Sequence, residues 1–223
     1  MAYWLLKYIF LGPLLAILGR PKIEGLEYVP QSGPAILASN HLAVMDSFYL
    51  PLVVPRRITF LAKSEYFTGT GFKGWLSRWF FTAVGQVPID RSSADAAQAA
   101  LDTAQRVLGE GKLLGMYPEG TRSPDGRLYK GKTGLARLAL ETGVPVIPVA
   151  MIGTNKVNPP GTSMLRFGKV TVRFGKPMEF SRYEGMDRDR YVLRAVTDSV
   201  MTEVMRLSGQ EYVDMYATKA KAA

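Results

Sequence analysis

The stretch Ala35-Ile36-Leu37-Ala38-Ser39-Asn40-His41-Leu42-Ala43-Val44-Met45-Asp46 decides the fold. Its first four residues form a short apolar run that reads as a buried strand. The polar Ser39-Asn40 pair then marks the strand's end and the start of a helix. His41 is the only histidine in the chain, and no other side chain present has an unperturbed pKa near neutrality. A carboxylate, Asp46, follows five residues later. Five residues turn about 500° on an α-helix, so two fully helical side chains would diverge by roughly 140°. The two groups meet only if His41 lies in the strand-to-helix turn and Asp46 on the first turns of the helix. Asp46 then accepts from one ring N–H, fixes the tautomer and leaves the other nitrogen free as a general base. On this segment alone, a core or surface histidine with an acid nearby by chance is the competing reading.

Outward from this stretch the pattern repeats. Residues 22–30 read as an edge strand and turn, and residues 58–62, 87–89, 113–117, 144–151 and 170–174 as strands. Helical spacing marks residues 45–53, 71–84, 93–109, 133–142 and 187–208. In 93–109, Ala97, Ala100, Leu101, Ala104, Val107 and Leu108 share one face, with Ser93 as a cap and Gly109 as a stop. In 187–208 the inner face is Leu193, Val196, Val200, Val204 and Leu207. The 71–84 stripe is Phe72, Trp75, Leu76, Trp79, Phe80 and Val84, with Lys73 and Arg78 off it. A core helix and a membrane-facing helix both fit it. Strands alternating with helices specify an α/β layered fold with a mainly parallel central sheet flanked by helices. Functional loops in such a fold fall at strand ends, where His41, Arg91 and residues 119–122 lie.

Composition narrows the chemistry. At 223 residues the chain is one domain, or one domain with an appendage. It has no cysteine, which excludes disulfides, thiolate metal sites and a cysteine acyl-enzyme. A single histidine without clustered ligands gives no reason to expect zinc or another metal. The formal charge of +9 suits nucleic acid, anionic lipid or an anionic substrate. The basic residues are scattered and no nucleic-acid-reading motif is present, so no nucleic-acid partner is expected. Residues 1–20 are nearly all apolar. They lack the positive start and cleavage site of a signal peptide. They are barely long enough to span a bilayer, with Lys7 interrupting and Gly12-Pro13 breaking them. They are read as two short helices in the membrane interface, anchored by Trp4, Tyr8 and Phe10. Packing of this segment on the protein's own core is the alternative. Residues 21–208 then form the main domain, and 209–223 a solvated C-terminal tail.

Four segments carry a resemblance. His41 and Asp46 sit in an NHxxxxD pattern. Gly85-Gln86-Val87-Pro88-Ile89-Asp90-Arg91, Tyr117-Pro118-Glu119-Gly120-Thr121-Arg122-Ser123 and Val144-Pro145-Val146-Ile147-Pro148-Val149 follow in order. Together they resemble the four motifs of the glycerolipid acyltransferases, the family that includes 1-acylglycerol-3-phosphate acyltransferase, over roughly residues 22 to 180. The PEGTRS run is the most specific of the four. Tyr117 stands where phenylalanine or valine is common, which preserves bulk.

The resemblance implies transfer of a long-chain acyl group from a thioester to the free hydroxyl of lysophosphatidic acid, with acyl-CoA or acyl carrier protein as donor substrate and no cofactor. Glycerol 3-phosphate or another lysophospholipid is the alternative acceptor, and a non-catalytic basic membrane-binding module is the alternative class. It implies His41 as base and Asp46 as its orienter. Arg91 and Arg122 become the phosphate clamps, their planar forks matching phosphate oxygens. Gly120 and Thr121 add donors, Glu119 orients Arg122 or a nearby hydroxyl, and Lys63 is a further substrate-binding candidate. Backbone N–H groups in the turn before the 45–53 helix are candidates for the oxyanion. No G-x-S-x-G elbow occurs, so direct attack by the acceptor hydroxyl needs no acyl-enzyme. The implied location is the cytoplasmic face of the cell membrane, monotopic or peripheral.

Two other motifs compete. Gly126 to Thr133 fits the P-loop pattern G-x-x-x-x-G-K-[ST]. A P-loop springs directly from a strand, whereas a long polar loop separates it from Tyr117. Asn155-Lys156-Val157-Asn158 resembles a guanine-reading motif but ends in asparagine. The Gly131-Lys132 loop is read instead as a border of the substrate cleft.

Overall fold

The computed structural model describes residues 2–83, 85–89, 96–162 and 164–222. The chain begins with helices α1 (Ala2–Leu5) and α2 (Leu11–Gly19), then strands β1 (Lys22–Glu24) and β2 (Ala35–Ser39). Helix α3 (Asp46–Val53), β3 (Ile58–Lys63), α4 (Glu65–Thr68), α5 (Gly71–Ala83) and β4 (Gln86–Ile89) follow. Next come α6 (Ala96–Gly109), β5 (Leu113–Met116), β6 (Leu128–Tyr129), α7 (Gly134–Thr142) and β7 (Val146–Ile152). The chain closes with α8 (Thr154–Val157), β8 (Thr171–Phe174), α9 (Arg190–Ser208), β9 (Tyr212–Val213) and α10 (Ala217–Ala220).

Seven strands form one sheet in the order β1-β8-β7-β2-β5-β3-β4. Every pairing in it is parallel except β7 with β8. The short apolar run at residues 35–38 occupies the middle of this sheet because both of its faces can be buried. Strand side chains alternate between faces. Ala35 and Leu37 join the core beneath α2 and α3, with Tyr49, Leu50 and Val149. Ile36 and Ala38 join the opposite core, with Leu101 and Leu108 of α6, Leu135 of α7 and Val196 of α9. Burying each large aliphatic side chain contributes about 1.5–3 kcal/mol, so both layers hold β2 in register. Beside it, Gly115 of β5 makes room for an aromatic ring. A Cβ there would meet Phe60 ring atoms at 2.3 Å.

The N-terminal segment departs from the expected pair of separate helices. Residues Leu6–Phe10 form a π-helical turn that joins α1 to α2. A wide turn ahead of Pro13 gives the ring room where an α-turn would clash, so the helix continues through the Gly12-Pro13 pair. One face, with Tyr3, Lys7 and Leu15, is buried. Leu15 O accepts from Tyr49 Oη at 3.1 Å. Lys7 turns inward, its ammonium donating to Val54 O just past the end of α3. Burial lowers its pKa to about 8. The opposite face exposes Tyr8, Ile9, Phe10, Leu14 and Ile17. Trp75, Leu76 and Trp79 of α5 are likewise exposed, so these members of the 71–84 stripe lie outside the core. Phe72, Phe80 and Val84 lie outside the described side chains. No described helix is long and apolar enough to cross a membrane.

The largest departure is at the C-terminus. Residues 209–223 were expected as a solvated tail. Instead the chain turns at Gly209 and runs back over the loops that follow β2 and β5. β9 pairs with β6, Leu128 opposite Tyr212 and Tyr129 opposite Val213. Ala217 is fully buried. The segment carries Tyr212, Val213 and Ala217 as apolar anchors, too few and too short for a periodic signal.

Candidate active site

The end of β2 places Asn40 between the sheet and the site. Its Oδ1 accepts from Met151 N at 2.7 Å, and its Nδ2 donates to Met151 O at 2.9 Å and to Gln210 Oε1 at 2.7 Å. The side chain thus continues the β2–β7 pairing after the main chain has left the sheet, and it fixes where His41 emerges. The His41 N–H donates to Glu119 Oε1 at 3.0 Å, and its carbonyl accepts from Ser123 N at 2.7 Å.

His41 lies in the turn and Asp46 opens α3, the geometry the spacing demanded. Nδ1 is 2.9 Å from Asp46 Oδ2. The same oxygen accepts from Leu42 N at 2.6 Å and Ala43 N at 2.8 Å. Asp46 is fully buried, and among the described residues its Oδ1 has no partner. Since Oδ2 already accepts two amide protons, Nδ1 is the donor in the third contact. Neutral His41 therefore keeps its lone pair on Nε2. The ring stacks on Tyr117, with centroids 3.9 Å apart and planes 10° apart. Tyr117 is held in turn by Ser47 Oγ at 3.0 Å and by the Phe60 ring at 5.7 Å. Burial, with the Asp46 charge nearby, raises the Tyr117 pKa well above its usual value, so the phenol stays neutral.

Glu119 differs from expectation. Among the described residues it reaches neither Arg122 nor a hydroxyl. It is 1% exposed, and its two oxygens accept from His41 N and from Tyr129 N at 2.9 Å. It clasps the His41 turn to β6. Burial raises its pKa from 4.5 to about 7, with the two amide bonds opposing and the Asp46 charge adding to the rise. Gly120 turns the loop at φ 74°, and a Cβ there would sit 2.9 Å from Lys132 Cε. Thr121 Oγ1 accepts from Lys221 Nζ at 2.8 Å. Arg122 is exposed, and among the described residues it has no ion-pair partner. Lys63 ends β3, its side chain outside the described set, and Arg91 lies outside the described residues.

The backbone amides proposed for an oxyanion are partly committed. Those of Leu42 and Ala43 serve Asp46 and that of His41 serves Glu119. Among the described residues, the Val44 and Met45 amides have no partner. The P-loop-like run is no phosphate cradle in this fold. Its Leu128 and Tyr129 form β6, and the Tyr129 amide is spent on Glu119. Among the described residues no group of three or more His, Asp or Glu side chains could hold a metal. Sequence reasoning missed Tyr117 as the ring under His41, and Gln210 and Lys221 from the far end of the chain. Only the aromatic at 117 had a signal, as the departure from the motif.

A mainly parallel α/β sheet with a histidine–carboxylate pair at a strand-to-helix turn defines the class. Residues 20–152 match the family model described as Acyltransferase, and the chain belongs to that family. Among relatives, it is 35% identical over 162 residues to a chloroplastic 1-acyl-sn-glycerol-3-phosphate acyltransferase of Arabidopsis thaliana, covering 72% of this chain and 44% of that one. It is 34% identical to the 1-acyl-sn-glycerol-3-phosphate acyltransferase of Limnanthes douglasii, over 83% of this chain and 64% of the relative. The chain thus spans about half the length of the curated relatives it matches. Its fold is similar to the crystal structure of the 1-acyl-sn-glycerophosphate acyltransferase PlsC from Thermotoga maritima. The TM-score is 0.64 at 25% identity, covering 87% of this chain and 75% of that one.

Proposed function

We propose that this protein transfers a long-chain acyl group from a thioester, acyl-CoA or acyl carrier protein, to the free sn-2 hydroxyl of 1-acylglycerol 3-phosphate, forming phosphatidic acid. The observation that carries the reading is the His41–Asp46 pair, with Nδ1 bound and Nε2 left as the basic nitrogen. An alcohol is a poor nucleophile until its proton is removed. His41 Nε2 takes that proton as the oxygen attacks the thioester carbonyl. The C–O bond forms, the tetrahedral oxyanion collapses, the C–S bond breaks, and the imidazolium returns the proton to the departing thiolate. The buried Asp46 carboxylate stabilises the imidazolium between these steps. The uncommitted Val44 and Met45 amides are the backbone donors offered to the oxyanion.

Arg122 is the phosphate clamp of this reading, with the Gly120–Thr121 backbone beside it and Arg91 and Lys63 as further candidates. An apolar crevice lined by Leu6, Leu11, Leu15, Phe48 and Leu52 lies between α2 and α3. Ser47, which holds Tyr117, also lines it, and this suits an acyl chain next to His41. The exposed apolar faces of the N-terminal helix and of α5 suit docking on the cytoplasmic face of a membrane. The acyl donor and the acceptor arrive from that surface, and nucleic acid has no part in the reading.

The test is thiol release from palmitoyl-CoA by the purified protein, with 1-acylglycerol 3-phosphate or glycerol 3-phosphate, beside His41→Ala. Release that needs the lysophospholipid and His41 is expected. Release with glycerol 3-phosphate alone would move the acceptor. Substantial turnover by His41→Ala would overturn the mechanism.

A further inference from the structure

The returning C-terminal segment ends over the acceptor side of the site. Gln210 fastens its start, with Oε1 accepting from Asn40 Nδ2 and Nε2 donating to Gly126 O at 2.6 Å. The β6–β9 pairing and the buried Ala217 fasten its middle. These anchors aim Lys221 at the loop after β5, where its Nζ donates to Thr121 Oγ1.

Two other cations meet at the same loop. Lys132 Nζ would lie 3.1 Å from a Cβ on Gly120, and Arg122 follows Thr121. Among the described residues, neither Arg122, Lys132 nor Lys221 has a salt bridge. Glu119, the carboxylate whose charge reaches Lys221, is buried and holds two backbone amides. Burial and the Arg122 charge both push the Lys221 pKa down, against the opposing pull of Glu119. Lys130, by contrast, is paired with Asp214 at 2.7 Å. Like charges gathered without a counter-charge repel unless an anion joins them.

We propose that Lys221, delivered by the C-terminal strap, is a phosphate-binding residue that closes an anion site with Arg122 and Lys132 around the Gly120–Thr121 turn. The ligand class is a phosphate monoester, here the headgroup of the lysophospholipid acceptor, so the proposal rests on the acceptor reading above. Lys221 reaches the phosphate from the side opposite β5, and Thr121 steers its ammonium. The site is then built from the loops after β5 and from the C-terminal strap, and binding the phosphate draws the strap down on the loop.

The experiment is equilibrium binding by titration calorimetry to the full chain. The ligands are a short-chain water-soluble 1-acylglycerol 3-phosphate, glycerol 3-phosphate, inorganic phosphate and the matching uncharged 1-acylglycerol. Lys221→Met is expected to weaken the phosphorylated lipid about tenfold, and Lys221→Arg to restore most of it. Lys219→Met, an equal charge loss at an exposed position on α10, is expected to change nothing. Thr121→Val, which frees the ammonium without removing it, is expected to cost about threefold. Affinity for the uncharged glyceride should match across all variants. In the acylation assay Lys221→Met should raise the acceptor KM more than it lowers kcat. Wild-type preference for the phosphorylated lipid that persists in full in Lys221→Met would overturn the role of Lys221 and leave the acceptor reading standing. A wild type with no preference for the phosphorylated lipid would overturn both. Preference for inorganic phosphate over the lipid would overturn the headgroup assignment.

Discussion

Asp46 Oδ2 is a single oxygen shared by His41 Nδ1 and by the amides of Leu42 and Ala43, all within 2.9 Å. The carboxylate therefore builds the turn and sets the histidine tautomer with one atom. Asp46→Asn keeps the oxygen and removes the charge. With its amide oxygen at the Oδ2 position the variant still accepts from both backbone amides and from Nδ1, but no anion remains to stabilise an imidazolium. Its NH2 takes the buried Oδ1 position, which has no partner among the described residues, at a cost of about 1–3 kcal/mol. Turnover should fall about 10³-fold, with the melting temperature lowered by that cost alone. His41→Ala should fall at least as far. A loss of less than tenfold in either variant would remove His41 as the base.

Glu119 gives the protein a pH-dependent stability. Its folded pKa of about 7 lies above the ordinary 4.5 because burial disfavours the charged form. Between those values the native state holds a proton that the unfolded chain has released. Stability from this group is therefore highest below pH 4.5, falls as pH rises to about 7, and is level beyond. Linkage puts the total at about 3 kcal/mol. Urea midpoints for wild type and Glu119→Gln at pH 5 and pH 8 check it. The wild-type decline should be largely absent in the variant. The variant should also lose about 1–3 kcal/mol at pH 5, because its NH2 faces one of the two amides that Glu119 satisfied.

The legible parts of this molecule were those with short-range signals. The run Ala35–Ala38 reads as a strand because four apolar residues in a row need both faces covered, and the five-residue step from His41 to Asp46 admits one geometry. The α/β order followed from alternating periods. Glu119 was misread because its role depends on amides 78 residues before it and 10 after it, and nothing local announces a carboxylate that bonds only backbone. The C-terminal strap was misread for a related reason. β6 and β9 have two residues each, below any period that sequence can show, and Gln210 and Lys221 are ordinary polar residues until their partners at Asn40 and Thr121 are seen. Pro13 misled because a π-turn can absorb a proline that an α-helix cannot.

Membrane docking, if the N-terminal helix performs it, resides in the face that the protein leaves open. Phe10 is 64% exposed and Ile17 63% exposed, while Leu15 on the buried face is 3% exposed. Phe10→Ser with Ile17→Ser removes apolar area without touching the core contacts of α2. Partial insertion of a large apolar side chain contributes about 1–2 kcal/mol, so the double variant should bind vesicles containing anionic lipid at least tenfold more weakly in a sedimentation assay. Met186→Ser, an exposed apolar position outside these helices, should bind as wild type does. Turnover of a water-soluble short-chain acceptor should be unchanged in the double variant, which separates docking from chemistry.

Gln210 tests whether the strap supports the histidine as well as carrying a lysine. Asn40 Nδ2 has two protons, one for Met151 O and one for Gln210 Oε1. Gln210→Ala strands the second proton at a residue that is 1% exposed, at a cost of about 1–3 kcal/mol. Gln210→Glu keeps an acceptor for Asn40 but removes the donor to Gly126 O, so its loss should be intermediate. Since Asn40 fixes the point where His41 leaves the sheet, kcat should fall in the same rank order, Ala more than Glu. Acceptor KM, which Lys221→Met raises, should move less than kcat in Gln210→Ala. A Gln210→Ala protein as stable and as active as wild type would mean that Met151 alone holds Asn40 in place.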